Sequence, residues 1–112
     1  MSNTERALKF IDHWNNRDIE GIMSSMTKDC FYHNIPMDPQ KGHDEIRSSL
    51  EPFIQMATNI EWIVHNIAED SNGIVLTERT DRFEIKGQWI CLLYTSDAAD
   101  EGLGVDLGGR RI

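Results

Sequence analysis

Arg79 and Asp81 stand two positions apart in "VLTERTDRFEI". Side chains alternate across a strand, so this stretch divides into a face with Val75, Thr77, Arg79, Asp81, Phe83 and Ile85, and another with Leu76, Glu78, Thr80, Arg82 and Glu84. The first face is the apolar one, and it carries a guanidinium and a carboxyl group at its centre. An unpaired charge there would be strongly destabilising, so each must meet the other or some further group. One arrangement is a structural ion pair, half exposed at a sheet edge or a dimer contact. The other is a polar site inside an apolar pocket, the usual architecture for binding a small molecule. Tyr32 and Asn34, in "FYHNIPM", show the same two-residue spacing and would present a phenol and a carboxamide side by side, enough to hold a water molecule. Alternatively Tyr32 is a core aromatic and Asn34 opens the turn before Pro36.

The elements that must position these groups follow from periodicity. Ala7, Phe10, Ile11 and Trp14 form the stripe of an amphipathic helix ending near Asn15, with a cap expected at Asn3 or Thr4. Asp18 caps a second short helix with Ile19, Ile22, Met23 and Met26 on one side. "CFYHNI" reads as a strand and "PMDPQKG" as a proline-bounded loop. Ile46, Leu50, Phe53, Ile54 and Ala57 mark a third helix in which Pro52 removes one backbone donor. "IEWIVHNIAED" and "GIVLTERTDRFEI" flank an Asn-Gly pair, a strong hairpin signal, and a further turn at "KGQ" launches "WI". Helix, helix, strand, helix and then an antiparallel meander predict an α+β domain with its helices on one face of a curved sheet.

At 112 residues the chain has room for one domain and one core. Nineteen acidic against eleven basic residues give a formal charge of −8, without a Lys/Arg cluster, so nucleic acid and anionic membrane surfaces are not expected partners. The polar start "MSNTERALKF" and the lack of a long apolar run argue against a membrane span, and a cytoplasmic location is expected. Cys30 and Cys91 and the four scattered histidines show no metal-ligand spacing; neither a metal nor another cofactor is expected.

"FYHNIPM" together with "SNGIVLTERTDRF" resembles the limonene-1,2-epoxide hydrolase family, whose signatures are a Tyr-x-Asn-x-Pro strand end and a Thr-Glu-Arg-x-Asp strand. The resemblance extends over nearly all of residues 4–90. It implies the cone-shaped nuclear-transport-factor-2-like fold, three helices on a strongly curved sheet, and a homodimer formed through that sheet. It also implies a cofactor-free, single-step addition of water to a small apolar or terpene-like epoxide, giving a vicinal diol. On that resemblance Tyr32 and Asn34 position the water, Asp81 protonates the epoxide oxygen, and Arg79 bridges Asp81 to a second aspartate that takes the proton from the water. Phe53, Val75 and Phe83 are the candidates for the apolar substrate wall.

The second aspartate belongs, in that family, to a later Trp-x-Asp-Tyr-Phe-Asp-like segment, and nothing of the kind follows Trp89. Residues 91–112 instead hold four of the eight glycines and no amphipathic period. Cys-Leu-Leu-Tyr-Thr-Ser is the translation of TGT CTC TTA TAC ACA TCT, the mosaic end of transposase-made DNA libraries, and Asp-Ala-Ala-Asp-Glu continues in the same frame. The expectation is therefore an incomplete epoxide-hydrolase-like domain over 1–90, its last strands missing, followed by a non-native adapter-derived tail over 91–112 and showing little activity. Asp97, Asp100 and Asp106 are acidic but sit in a segment with little strand character. Two other functions remain open: an isomerase or polyketide cyclase of the same fold, and a non-catalytic small-ligand-binding module.

Overall fold

The computed structural model describes residues 1–33, 38–98 and 105–106, with the backbone alone described at 92–98 and 105–106. Helix α1 spans Asn3–Asn15 and buries Ala7, Phe10, Ile11 and Trp14, the stripe expected from their spacing. Its cap lies earlier than expected, at Ser2. The Ser2 hydroxyl accepts from the Glu5 N–H at 3.1 Å and the Glu5 carboxylate accepts from the Ser2 N–H, the reciprocal box that Ser-x-x-Glu encodes. Arg17, at φ 54°, turns the chain, and Asp18 then caps α2 (Ile19–Ser24) by accepting from the Gly21 N–H at 3.0 Å. Ile22 and Met23 are buried from this helix, and Met26 just after it.

The strand expected at "CFYHNI" is shorter in the structure: β1 is Phe31–Tyr32, paired antiparallel with β2, Gln40–Lys41, within the segment read as a loop. Gly42, at φ 85°, leads into α3 (His43–Met56), which buries Ile46, Leu50 and Ile54 and accommodates Pro52 near its C-terminal end.

The main sheet is antiparallel, in the order β3 (Asn59–Glu69), β4 (Val75–Ile85), β5 (Gln88–Ala98) and β6 (Val105–Asp106). The first hairpin closes where its sequence predicts. Asp70 Oδ1 accepts from the N–H groups of Asn72 and Ile74 at 2.8 and 2.9 Å, and Gly73 supplies the φ of 85° that a Cβ-bearing residue resists. The second turn is the two-residue Lys86-Gly87, both at positive φ, which matches the twist of the flanking strands. In β3 the register passes from Val64↔Arg79 to Asn66↔Glu78, so His65 is an extra residue. The bulge keeps Asn66 exposed, where strict alternation would have placed it beside Trp62 and Val64.

One sequence expectation is corrected here. Composition argued against a strand after Ile90, yet β5 pairs with β4 from Ile85↔Gln88 to Val75↔Ala98. The physical reason is that ladder hydrogen bonds join backbone groups, and β4 offers an unbroken row of them to any following segment free of proline. Such pairing is nearly indifferent to side chains, so it leaves the adapter reading of residues 91–112 where it stood.

The core lies between the helices and one face of the sheet: Phe10, Ile11 and Trp14 of α1 and Ile46, Leu50 and Ile54 of α3 join Tyr32, Ile60, Trp62 and Phe83. The edge of β3 is covered by Asn15, whose carboxamide accepts from the Trp62 N–H at 2.6 Å and donates to the Trp62 carbonyl at 3.2 Å. This side chain occupies the place of a neighbouring strand. Among the described residues no helix is long and apolar enough to cross a membrane.

Candidate acid–base site

Strand β4 has neighbours on both sides, and alternation along it buries Val75, Thr77, Arg79, Asp81 and Phe83 against the helices. Arg79 and Asp81 are each only 1% exposed, so the half-exposed ion pair at a sheet edge that the sequence left open is not what forms. Arg79 Nε donates to Asp81 Oδ1 at 2.8 Å and Nη2 donates to Oδ2 at 3.2 Å, a bidentate fork within one strand. Nη1 donates to Thr77 Oγ1 at 3.1 Å, and the guanidinium carbon lies 4.3 Å from the centre of the Trp62 ring. Trp62 is the register partner of Asp81 on β3, on the side of β4 where its ring meets the guanidinium.

Burial pushes the Asp81 carboxyl up from the ordinary 3.8 to about 6, against the charge and hydrogen bonds of Arg79, which hold it down. Desolvation therefore outweighs the ion pair, and Asp81 is a carboxyl that carries a proton in mildly acidic solution and exchanges it near neutrality. A group whose folded value exceeds its unfolded one favours folding most below the unfolded value, and that contribution is lost as pH rises through the folded value. For Asp81 the window runs from about 4 to about 6, and its size is about 3 kcal/mol. Denaturant unfolding at pH 4, 5, 6 and 7 is expected to show this loss, and Asp81→Asn is expected to remove it from the profile.

The other sequence candidates fall in different places. Tyr32 is 3% exposed and belongs to the core cluster that also holds Trp62 and Phe83. Asn34 lies outside the described residues. Phe53 is partly buried and meets Phe83 edge to face, with ring centres 4.9 Å apart, and Phe83 shares the inner face of β4 with Asp81. Val75 is buried on the same face of β4, six positions from Asp81, which is roughly 20 Å along an extended strand. Trp62 was missed as part of the site. Its signal was present in "IEWIV", where it alternates with Ile60 and Val64 on the inward face.

Among the residues whose side chains are described, Arg79 and Asp81 are the buried charged groups, with no second buried carboxylate beside them. Asp97 and Asp106 are register partners between β5 and β6, with Asp97 opposite Leu76, and Asp100 lies outside the described residues.

A sequence model of the SnoaL-like domain matches residues 7–102, which is most of the chain. The chain belongs to the SnoaL-like domain family. No curated protein matches it. Among solved structures this SnoaL-like domain is similar to an LEH-like epoxide hydrolase of M. tuberculosis, with a TM-score of 0.78 at 22% identity over 91% of this chain and 77% of that one. It is similar as well to a putative polyketide cyclase of Pseudomonas putida, with a TM-score of 0.73 at 14% identity over 88% and 82%. A protein of ketosteroid isomerase-like fold from Catenulispora acidiphila gives a TM-score of 0.76 at 14% identity over 88% and 77%. At these identities the likeness is one of fold: three helices and an antiparallel sheet of the nuclear-transport-factor-2-like kind.

Proposed function

We propose that this SnoaL-like domain carries the acid half of an epoxide-hydrolysing site. The observation that carries the reading is the buried Asp81 carboxyl, held in a bidentate fork by Arg79 and pushed up to about 6. A neutral carboxyl in a dry site can give its proton to the epoxide oxygen as the ring C–O bond breaks, and water attacking the ring carbon completes a vicinal diol. Arg79 stabilises the carboxylate left behind. Tyr32 and Asn34 fit the role of water-positioning groups by residue type and spacing, and Phe53 and Phe83 that of an apolar wall. A small apolar or terpene-like epoxide suits such surroundings, without a metal or other cofactor.

The proton lost by the attacking water needs a base, and no second buried carboxylate occurs among the residues whose side chains are described. The Trp-x-Asp-Tyr-Phe-Asp-like segment of the similar hydrolases would supply it. We infer that residues 91–112 replace the strands that carried this base.

The deciding experiment compares the 112-residue chain with residues 1–90 joined to two uninterrupted strands bearing that segment. The completed protein is expected to form diol with one oxygen from labelled water, at least about 100-fold faster than the 112-residue chain. Robust turnover by the 112-residue chain, or none by the completed protein in a folded state, would overturn the reading. A protonatable buried carboxyl also suits hydrogen bonding to a developing enolate. A β,γ-unsaturated ketone assayed beside the epoxide separates the isomerase reading from the hydrolase one.

A further inference from the structure

The guanidinium of Arg79 is gripped in its plane by its own strand and on its face by the next. Nε and Nη2 are spent on Asp81 and Nη1 meets Thr77, all on β4, while the flat face rests on Trp62 of β3. Hydrogen bonds in the plane of a guanidinium resist tilting only through their angles, and a long arginine side chain has many rotamers to lose. A ring against the face adds a direct restraint across the plane.

Trp62 is itself held from two directions by the last turn of α1. Trp14 stacks on it with ring centres 4.5 Å apart and planes 15° from parallel, and Asn15 brackets its backbone with two hydrogen bonds. Both indole N–H groups, Trp14 Nε1 and Trp62 Nε1, are buried without a hydrogen-bond partner among the described residues. Leaving two buried donors unpaired is a cost that a phenylalanine pair would avoid. What tryptophan offers in return is the widest and most electron-rich face for a cation.

We propose that Trp62 is a positioning residue: anchored by Trp14 and Asn15, its ring fixes the plane of the Arg79 guanidinium and through it the orientation of the Asp81 carboxyl group. The part of this that concerns proton delivery rests on the reading of Asp81 as the acid. The positional part does not.

The test is solution NMR on the 112-residue chain, reading exchange of the Arg79 Nε–H against the backbone amides of β4. In the wild-type chain the Arg79 side-chain protons near the guanidinium are expected upfield of ordinary arginine values, from the ring current of Trp62, and the Nε–H is expected to exchange slowly. Trp62→Leu is expected to speed that exchange relative to the β4 amides by about tenfold. Trp62→Phe restores an aromatic face and is expected to stay within about threefold of wild type. Leu50→Ala, a core truncation on α3, is expected to change global protection and leave the ratio alone, which separates positioning from loss of packing. Asn15→Ala, which frees the Trp62 backbone, is expected to give an intermediate value.

An unchanged ratio in Trp62→Leu, or equal acceleration in Trp62→Leu and Trp62→Phe, would overturn the proposal. Should Trp62→Leu not fold, the wild-type upfield shift and the Asn15→Ala ratio decide, and the absence of either effect counts against it. No epoxide enters these measurements, so their failure leaves the acid reading standing, and failure to find diol leaves theirs.

Discussion

In a protein that carries the full strand set, Asp81→Asn is expected to lower diol formation by about 10²–10⁴-fold, the usual worth of a positioned general acid. By the same linkage the substitution is expected to raise stability at pH 7, by up to about 3 kcal/mol. Asparagine has the shape of a protonated carboxyl but no acidic proton, and burial already favours the protonated form of Asp81. The two effects therefore separate: chemistry is lost while the fold is kept. Initial rates with a terpene-like epoxide, taken beside denaturant midpoints of the same samples, test both. Turnover retained in Asp81→Asn, or lost only in step with unfolding, would remove Asp81 from the mechanism.

This separation depends on which term dominates at the buried pair. Two charges taken out of water regain from each other less than they lose unless the geometry is good and the remaining donors are satisfied. Here the fork is bidentate, Thr77 takes a further donor and Trp62 covers the face, yet the carboxyl still sits above its ordinary range. Such a group suits proton transfer better than it suits stabilising a fold. An arrangement whose only task was to hold strands together would do as well with an apolar pair of similar volume.

Much of this geometry was legible in the sequence, because two simple periods dictate it. Alternation in "VLTERTDRFEI" alone puts Arg79 and Asp81 on the inward face, and the 3.6-residue stripe from Ala7 to Trp14 fixes which side of α1 meets them. The elements that escaped are those in which something other than side-chain period decides. The cap of α1 moved to Ser2 because the reciprocal pairing with Glu5 competes successfully with the later candidates. The bulge at His65 inverts the alternation of β3 midway, which no count of apolar residues reveals. Strand β5 runs on past Ile90 because β4 presents a ladder to pair with, whatever the composition that follows. Alternation in "IEWIV" turns Trp62 inward, but only the register opposite Asp81 brings it to the guanidinium.

The second large effect concerns stability and its dependence on pH. With Arg79→Met, both influences that hold Asp81 down vanish while its burial remains, so the carboxyl moves above about 6 and stays protonated through neutrality. Near pH 5 the wild-type carboxyl is already protonated, and the variant is expected to unfold within about 1 kcal/mol of wild type, the lost hydrogen bonds to Thr77 and Asp81 and the contact with Trp62 being offset by no longer burying a guanidinium. At pH 8 wild-type Asp81 is ionised beside its cation, whereas the variant must either keep a proton scarce in solution or bury a lone negative charge. The expected loss there is about 3–5 kcal/mol. Adding Asp81→Asn to Arg79→Met removes the group responsible, and the double variant should lose the extra pH dependence. Denaturant midpoints of all three proteins at pH 5 and pH 8 measure this, and an equal deficit at both values would mean that the pair acts through packing and not through the proton on Asp81.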